Sequence, residues 1–175
     1  MGNPIDGVGM PDGWHRLWAP HRLEYLRGEN RPLIDNDVTC PFCRIPTLQD
    51  EEGLIVHRGK TAFVVMNLYP YNPGHLLICA YRHVPDLTDL SEQERNEISE
   101  LTAHAMKTIR VVSNPEGFNL GMNQGAISGA GVAEHIHQHV VPRWGGDANF
   151  MPIIGKTKVL PQLLRLTRDE IATAW

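Results

Sequence analysis

The sequence predicts an α+β domain built on an antiparallel sheet of about five strands with one long helix. Three observations predict it. Short runs of β-branched and apolar residues alternate with turn residues, and a single capped run carries the helical period. The 175 residues suffice for one domain with a core but not for two comfortable ones.

Residues 1–38 are rich in Gly, Pro, Asn and Asp, yet they carry Trp14, Leu17, Trp18, Leu23, Tyr25 and Leu26, which a solvated tail does not need. They read as an arm with a short helical piece, interrupted at Pro20, that docks on the body or on a second subunit. Residues 39–175 then form the domain with a C-terminal extension. Gly53–Val56 and Ala62–Leu68 read as a hairpin turning at Arg58-Gly59-Lys60. Tyr69-Pro70-Tyr71-Asn72-Pro73-Gly74 is turn chemistry, and His75–Tyr81 follows as a buried strand. Ser91-Glu92-Gln93-Glu94 fits a capping box, and Ile98, Leu101, Ala105, Ile109 and Val112 recur at helical spacing until Asn114-Pro115 ends the run. Phe118–Asn123 and His135–Pro142 read as two more strands, separated by a glycine-rich segment over 124–131. A last helix is expected from Pro161 to about Thr173.

Composition removes several functional classes. No apolar stretch approaches the roughly 18 residues needed to cross a bilayer, and the N-terminus lacks the basic region and apolar run of a signal peptide. A cytoplasmic location is expected. With 16 Lys+Arg against 20 Asp+Glu, the net charge of -4 argues against a broad electrostatic grip on nucleic acid, so a polyanionic ligand must be held by a local site. Three cysteines do not make a disulfide framework, but Cys40 and Cys43 have metal-ligand spacing. Cys40-Pro41-Phe42-Cys43 is open to three readings: buried thiols, a redox pair without the thioredoxin context, or half of a zinc site. Cys79, inside an apolar run, reads as a small buried hydrophobe.

His135-Ile136-His137-Gln138-His139 places an imidazole at every second residue, so a strand would line up all three rings on one face. An exposed strand that happens to carry histidine is one reading. A metal hydrolase is another, although only Glu134 and Asp147 lie close in sequence as acidic partners. The third is nucleophilic catalysis, in which a neutral imidazole attacks a phosphoanhydride and forms a phosphoramidate. The glycine-rich turn before the strand offers backbone N–H groups to phosphate oxygens, which favours phosphate chemistry.

His135-Ile136-His137-Gln138-His139-Val140-Val141 resembles the signature of the histidine-triad (HIT) superfamily of nucleotide hydrolases and transferases. Asn67-Leu68-Tyr69-Pro70-Tyr71-Asn72-Pro73-Gly74-His75, Asn119–Asn123, Pro142–Asp147 and Leu17-Trp18 resemble its diadenosine tetraphosphate phosphorylase branch, over roughly residues 14–173. The resemblance implies a HIT-like fold and a likeness in chemistry: His137 as nucleophile, His139 contacting phosphate, and His75 supporting the triad. It places Asn67 at the ribose, Asn123 at the α-phosphate and Trp144 as a wall of the site. It implies an adenine nucleotide substrate, inorganic phosphate or water as acceptor, a homodimer and no organic cofactor. A structural zinc held by Cys40, Cys43, His83 and His135 is implied in the same way. Phosphorolysis of dinucleoside polyphosphates is the favoured activity. Hydrolysis of dinucleotides or nucleoside phosphoramidates, and a catalytically weak nucleotide-binding protein, are the alternatives. The family tends to carry a phosphate-binding Ser where this chain has Gly131, and Gly129-Ala130-Gly131 reads as a run needing backbone freedom, with a positive φ at Gly131.

Overall fold

The computed structural model describes residues 40–147 and 161–175, so the expected arm and the Leu17-Trp18 segment lie outside the described residues. A helical turn α1 (Pro41–Arg44) precedes β1 (Ile55–Arg58), β2 (Ala62–Met66) and β3 (Leu76–Ala80). Helix α2 (Glu92–Ser113) follows, then β4 (Gly117–Met122), β5 (His137–Arg143) and α3 (Leu164–Ala174). The strands form one 5-stranded sheet in the order β1-β2-β3-β5-β4, antiparallel at every pairing. The expected α+β architecture holds. No helix among the described residues is long and apolar enough to cross a membrane.

The first strand begins two residues later than the β-branched pattern suggests. Leu54 adopts φ 55, a left-handed conformation that no strand can include, and the register shifts between Ile55 and His57. Arg58, expected in the turn, completes the strand instead. Its guanidinium donates to Asp50 and to the carbonyls of Pro46 and Leu48, which ties the strand end to the preceding loop.

Alternation across β2 and β3 divides the core into two layers. Val64, Met66, Leu76, Ile78, Ala80 and Val140 pack against Ile98, Leu101, Ala105 and Ile109 of α2 and Ile171 of α3. Phe63, Val65, Leu77 and Cys79 point to the other face, where they form a second, smaller cluster with Cys40 and Phe42, flanked by Cys43, Ile45, Leu54, Tyr81 and Val132. The site occupies this second face. Helix α2 begins at the reciprocal box between Ser91 and Glu94 and ends at Asn114 in the left-handed conformation. Glu94 also takes a two-point contact from Arg82, whose hydrogen bonds hold its carboxyl down to about 2, so the helix start is charged and fixed.

Candidate active site and metal centre

The sequence expectation of three aligned imidazoles needs one correction. Strand β5 starts at His137, and His135 stands before it with its ring turned toward the cysteines. A residue outside the ladder is not bound to the strand's alternation, and the thiols draw the ring away. His137 and His139 do share a face, with ring centroids 5.0 Å apart.

Cys40 caps the turn of α1 and Cys43 lies within it, His83 follows β3, and His135 precedes β5. Their four ligand atoms lie within 4.8 Å of one another. Cys40 Sγ is 3.4 Å from His135 Nδ1, and Cys43 Sγ is 3.3 Å from His83 Nδ1 and 3.5 Å from His135 Nδ1. Tetrahedral zinc with Zn–S near 2.3 Å and Zn–N near 2.0 Å requires S···N edges of about 3.6 Å, so the donor set fits the ion. His135 Nε2 lies 2.9 Å from the Ala80 carbonyl, which can only accept. The ring proton therefore sits on Nε2, leaving Nδ1 as the ligating atom.

The same reasoning fixes the reacting imidazoles. His137 Nδ1 is 2.8 Å from the His135 carbonyl, so Nδ1 carries the proton and Nε2 keeps its lone pair. Burial, partly offset by that hydrogen bond, lowers the pKa of His137 and favours the neutral ring a nucleophile needs. His75 Nδ1 accepts the Tyr71 backbone N–H at 3.0 Å, so its proton lies on Nε2, which is 2.9 Å from His139 Nδ1. His139 therefore accepts at Nδ1 and is protonated at Nε2. That Nε2 is buried without a hydrogen-bond partner among the described residues, a costly state for a polar atom unless a ligand completes it. Burial, and then the charge of His137, push His139 down to about 4.

Other expected site residues fall in different places. Asn67 begins the loop to β3; its Oδ1 accepts the Tyr69 N–H at 2.9 Å and its Nδ2 lies 3.3 Å from His75 Nδ1. Asn123 follows the end of β4, whose last pair with β5 is Met122–Gln138. Trp144 stands at the opposite end of β5 from His137. Its indole donates to the Ser113 carbonyl at the end of α2. Two aromatic neighbours escaped the sequence reading: Phe42, 4.7 Å from the His137 ring, and Tyr71, stacked 5.8 Å from His139. Phe42 lies inside Cys-x-x-Cys, where spacing drew all the notice, and Tyr71 reads simply as turn chemistry.

The glycine loop also differs from expectation. Gly125 (φ 79, ψ 158) and Gly129 (φ 87, ψ 16) hold the positive φ angles, while Gly131 is not among the described glycines that do. The Gly125 combination is essentially closed to other residues, so Gly125→Ala should cost about 1–3 kcal/mol in urea denaturation. Gly131→Ser should leave stability within about 0.5 kcal/mol. Should its hydroxyl reach phosphate, kcat/KM on a dinucleoside polyphosphate should rise roughly two- to twelvefold, and a fall would contradict this placement of backbone freedom.

An antiparallel five-stranded sheet, two facing histidines on its fifth strand and a Cys/His cluster beside them define a histidine-triad protein. The HIT domain family model matches residues 49–146, and the chain belongs to this family. It is 52% identical over 172 residues to the AP-4-A phosphorylase of Mycobacterium tuberculosis, covering 97% of this chain and 88% of that protein. It is 30% identical over 122 residues to the bifunctional bis(5'-adenosyl)-triphosphatase/adenylylsulfatase FHIT of Arabidopsis thaliana, covering 67% of each. Among solved structures, a Zn-bound histidine triad family protein from Mycobacterium smegmatis shares the fold with a TM-score of 0.63 at 21% identity, covering 79% of this chain and 94% of that one.

Proposed function

We propose that this chain transfers a nucleotide through His137 and that its reaction is phosphorolysis of a dinucleoside polyphosphate. The observation that carries the reading is the complementary pair on β5: His137 offers a bare Nε2, and His139 beside it offers a buried Nε2–H without a partner among the described residues. In the first step His137 Nε2 bonds to the α-phosphorus while the bond to the bridging oxygen breaks, and the electron pair leaves with the polyphosphate. No proton need move. The phosphorylated ring is cationic, and its Nδ1–H on the His135 carbonyl stabilises it; the His139 Nε2–H steadies the charge developing on the leaving oxygen. A phosphate oxygen then displaces His137 and releases a nucleoside diphosphate. In this reading, which follows the family resemblance, Asn123 meets the α-phosphate and Asn67 the ribose. The 52% identity to a protein named AP-4-A phosphorylase supports phosphate as acceptor and adenine as base.

Cys40, Cys43, His83 and His135 would hold zinc. The closed donor set supplies structural rather than Lewis-acid chemistry, binding the chain before β1 to the start of β5. The expected cytoplasmic location and a homodimer, the latter on the family resemblance, complete the reading.

Incubation with a dinucleoside tetraphosphate, with and without inorganic phosphate, tests the activity. Nucleoside diphosphate and triphosphate should appear only with phosphate. Turnover in water alone would move the reading to a hydrolase, and tight binding with no turnover would overturn it. The pH dependence follows from His139. Its folded pKa of about 4 lies below the unfolded value near 6.5, so the neutral ring that accepts from His75 at Nδ1 persists in acid and its limb in the rate profile should fall near pH 4. The unfolded chain takes up that proton first, so the His139 contribution lowers stability as pH falls from 6.5 towards 4. A limb assigned to His139 by its replacement but centred near 6.5 would contradict its burial.

A further inference from the structure

The tautomers of His75 and His139 depend on donors that the loop between β2 and β3 turns onto His75 Nδ1: the Tyr71 N–H at 3.0 Å, with the Asn67 side-chain amide 3.3 Å away. Inside that loop the Asn67 N–H donates to the His75 carbonyl at 2.9 Å and the His75 N–H to the Asn72 carbonyl at 3.2 Å. Gly74 takes φ +75, and a Cβ there would lie 3.5 Å from Pro142 Cγ, so the loop rests closely on the end of β5. Asn72 makes the polar tie: its Nδ2 donates to the Pro142 carbonyl at 3.0 Å and to Asp147 Oδ2 at 2.7 Å.

Asp147 is itself anchored on several sides. Arg143 donates to it through Nε at 2.6 Å and Nη2 at 2.8 Å, and the Trp144 N–H reaches it at 3.1 Å. The third Arg143 nitrogen donates to Asn119 Oδ1 on β4 at 2.6 Å. The Asp147 side chain is only 12% exposed, and the Arg143 guanidinium holds its carboxyl well below the usual carboxylate range. One permanent anion thus joins β4, β5 and the tip of the loop that carries Tyr71 and His75.

We propose that Asp147, acting through Asn72, is a positioning residue that sets the tautomers of the His75–His139 pair. The carboxylate fixes the loop where the Tyr71 N–H reaches His75 Nδ1. With the Tyr71 contact loosened, leaving the longer approach of the Asn67 amide at 3.3 Å, a fraction of His75 rings can carry the proton on Nδ1, and His139 Nδ1 then loses the donor that forces its own proton onto Nε2. The hydrogen bond to the leaving oxygen disappears in that fraction of molecules, while His137, held by the His135 carbonyl, is untouched. The kinetic consequence rests on the nucleotidyl-transfer reading, but the tautomer does not.

Two measurements on Asp147→Asn test this. In nitrogen-15 NMR of the ligand-free protein, His75 and His139 should each be the Nε2–H tautomer in the natural chain and a mixture in the variant. In single-turnover transfer of a nucleotide onto His137, the variant should be slower by about tenfold or more with a dinucleoside tetraphosphate. It should slow by no more than about twofold with adenosine 5'-phosphorofluoridate, whose weakly basic leaving group needs less stabilisation. Asn72→Ala, which keeps the Arg143–Asp147 ion pair, should give the same two results and stands in if Asp147→Asn folds poorly. Unchanged tautomers in both variants, or equal losses on both substrates, would overturn the assignment. If the natural chain transfers nucleotide from neither substrate, the nucleotidyl-transfer reading fails, and the NMR result alone decides the role of Asp147.

Discussion

Replacing His137 by alanine should lower turnover of a dinucleoside tetraphosphate by about 10⁴-fold or more while leaving nucleotide affinity within about tenfold. The size follows from the chemistry. Without His137 Nε2 no covalent nucleotide forms, and the neighbouring donors stabilise a reaction that lacks its attacking atom. Affinity is spared because the ring contributes mainly after binding. Mass spectrometry of the quenched natural protein should find the nucleotide on His137, and the His137→Ala protein should carry none. Near-normal turnover in His137→Ala would remove the assignment. A metal hydrolase would behave differently, since a chelator should stop its chemistry directly.

Loss of the Cys/His cluster should produce the largest fall in stability. Cys40→Ser with Cys43→Ser removes two of the four donors, and the protein should lose close to one zinc per chain by metal analysis. Zinc binds apo peptides with about 10–16 kcal/mol, but this domain keeps its own apolar core, so about 3–5 kcal/mol is expected. For a chain of this size that is a fall of roughly 6–20 °C in Tm. The rate at permissive temperature should fall less than the stability. Yet it should not be wholly spared, because His135 supplies both a donor to the cluster and the carbonyl that receives the His137 Nδ1–H. Freshly purified protein with no zinc would end this reading.

Much of the fold was legible because its signals are local. The capping box at Ser91 and Glu94 with the Ile98-to-Ile109 spacing located α2, and turn residues bounded all five strands. Errors arose where a local pattern met a longer-range demand. Gly53–Val56 looks like the first strand, but Leu54 in the left-handed region pushes its start to Ile55. Three alternating histidines look like one row, but the thiols of Cys40 and Cys43 take His135 out of it.

By itself the sequence determined the elements, the pairing of His137 with His139 on one strand face, and the residue types able to hold a metal. Periodicity and spacing act over a few residues, so a single chain displays them directly. Only the tertiary structure decided which nitrogen of each imidazole carries a proton, because that choice belongs to neighbours far away in the chain: Ala80 for His135, and His75, sixty-four residues distant, for His139. It also set the Trp144 indole on the Ser113 carbonyl at the end of α2, and it brought a carboxylate beyond β5 back to the loop of His75. A tautomer is set by whatever donor or acceptor lies within about 3 Å of each ring nitrogen, and only the folding of the chain brings those groups that close.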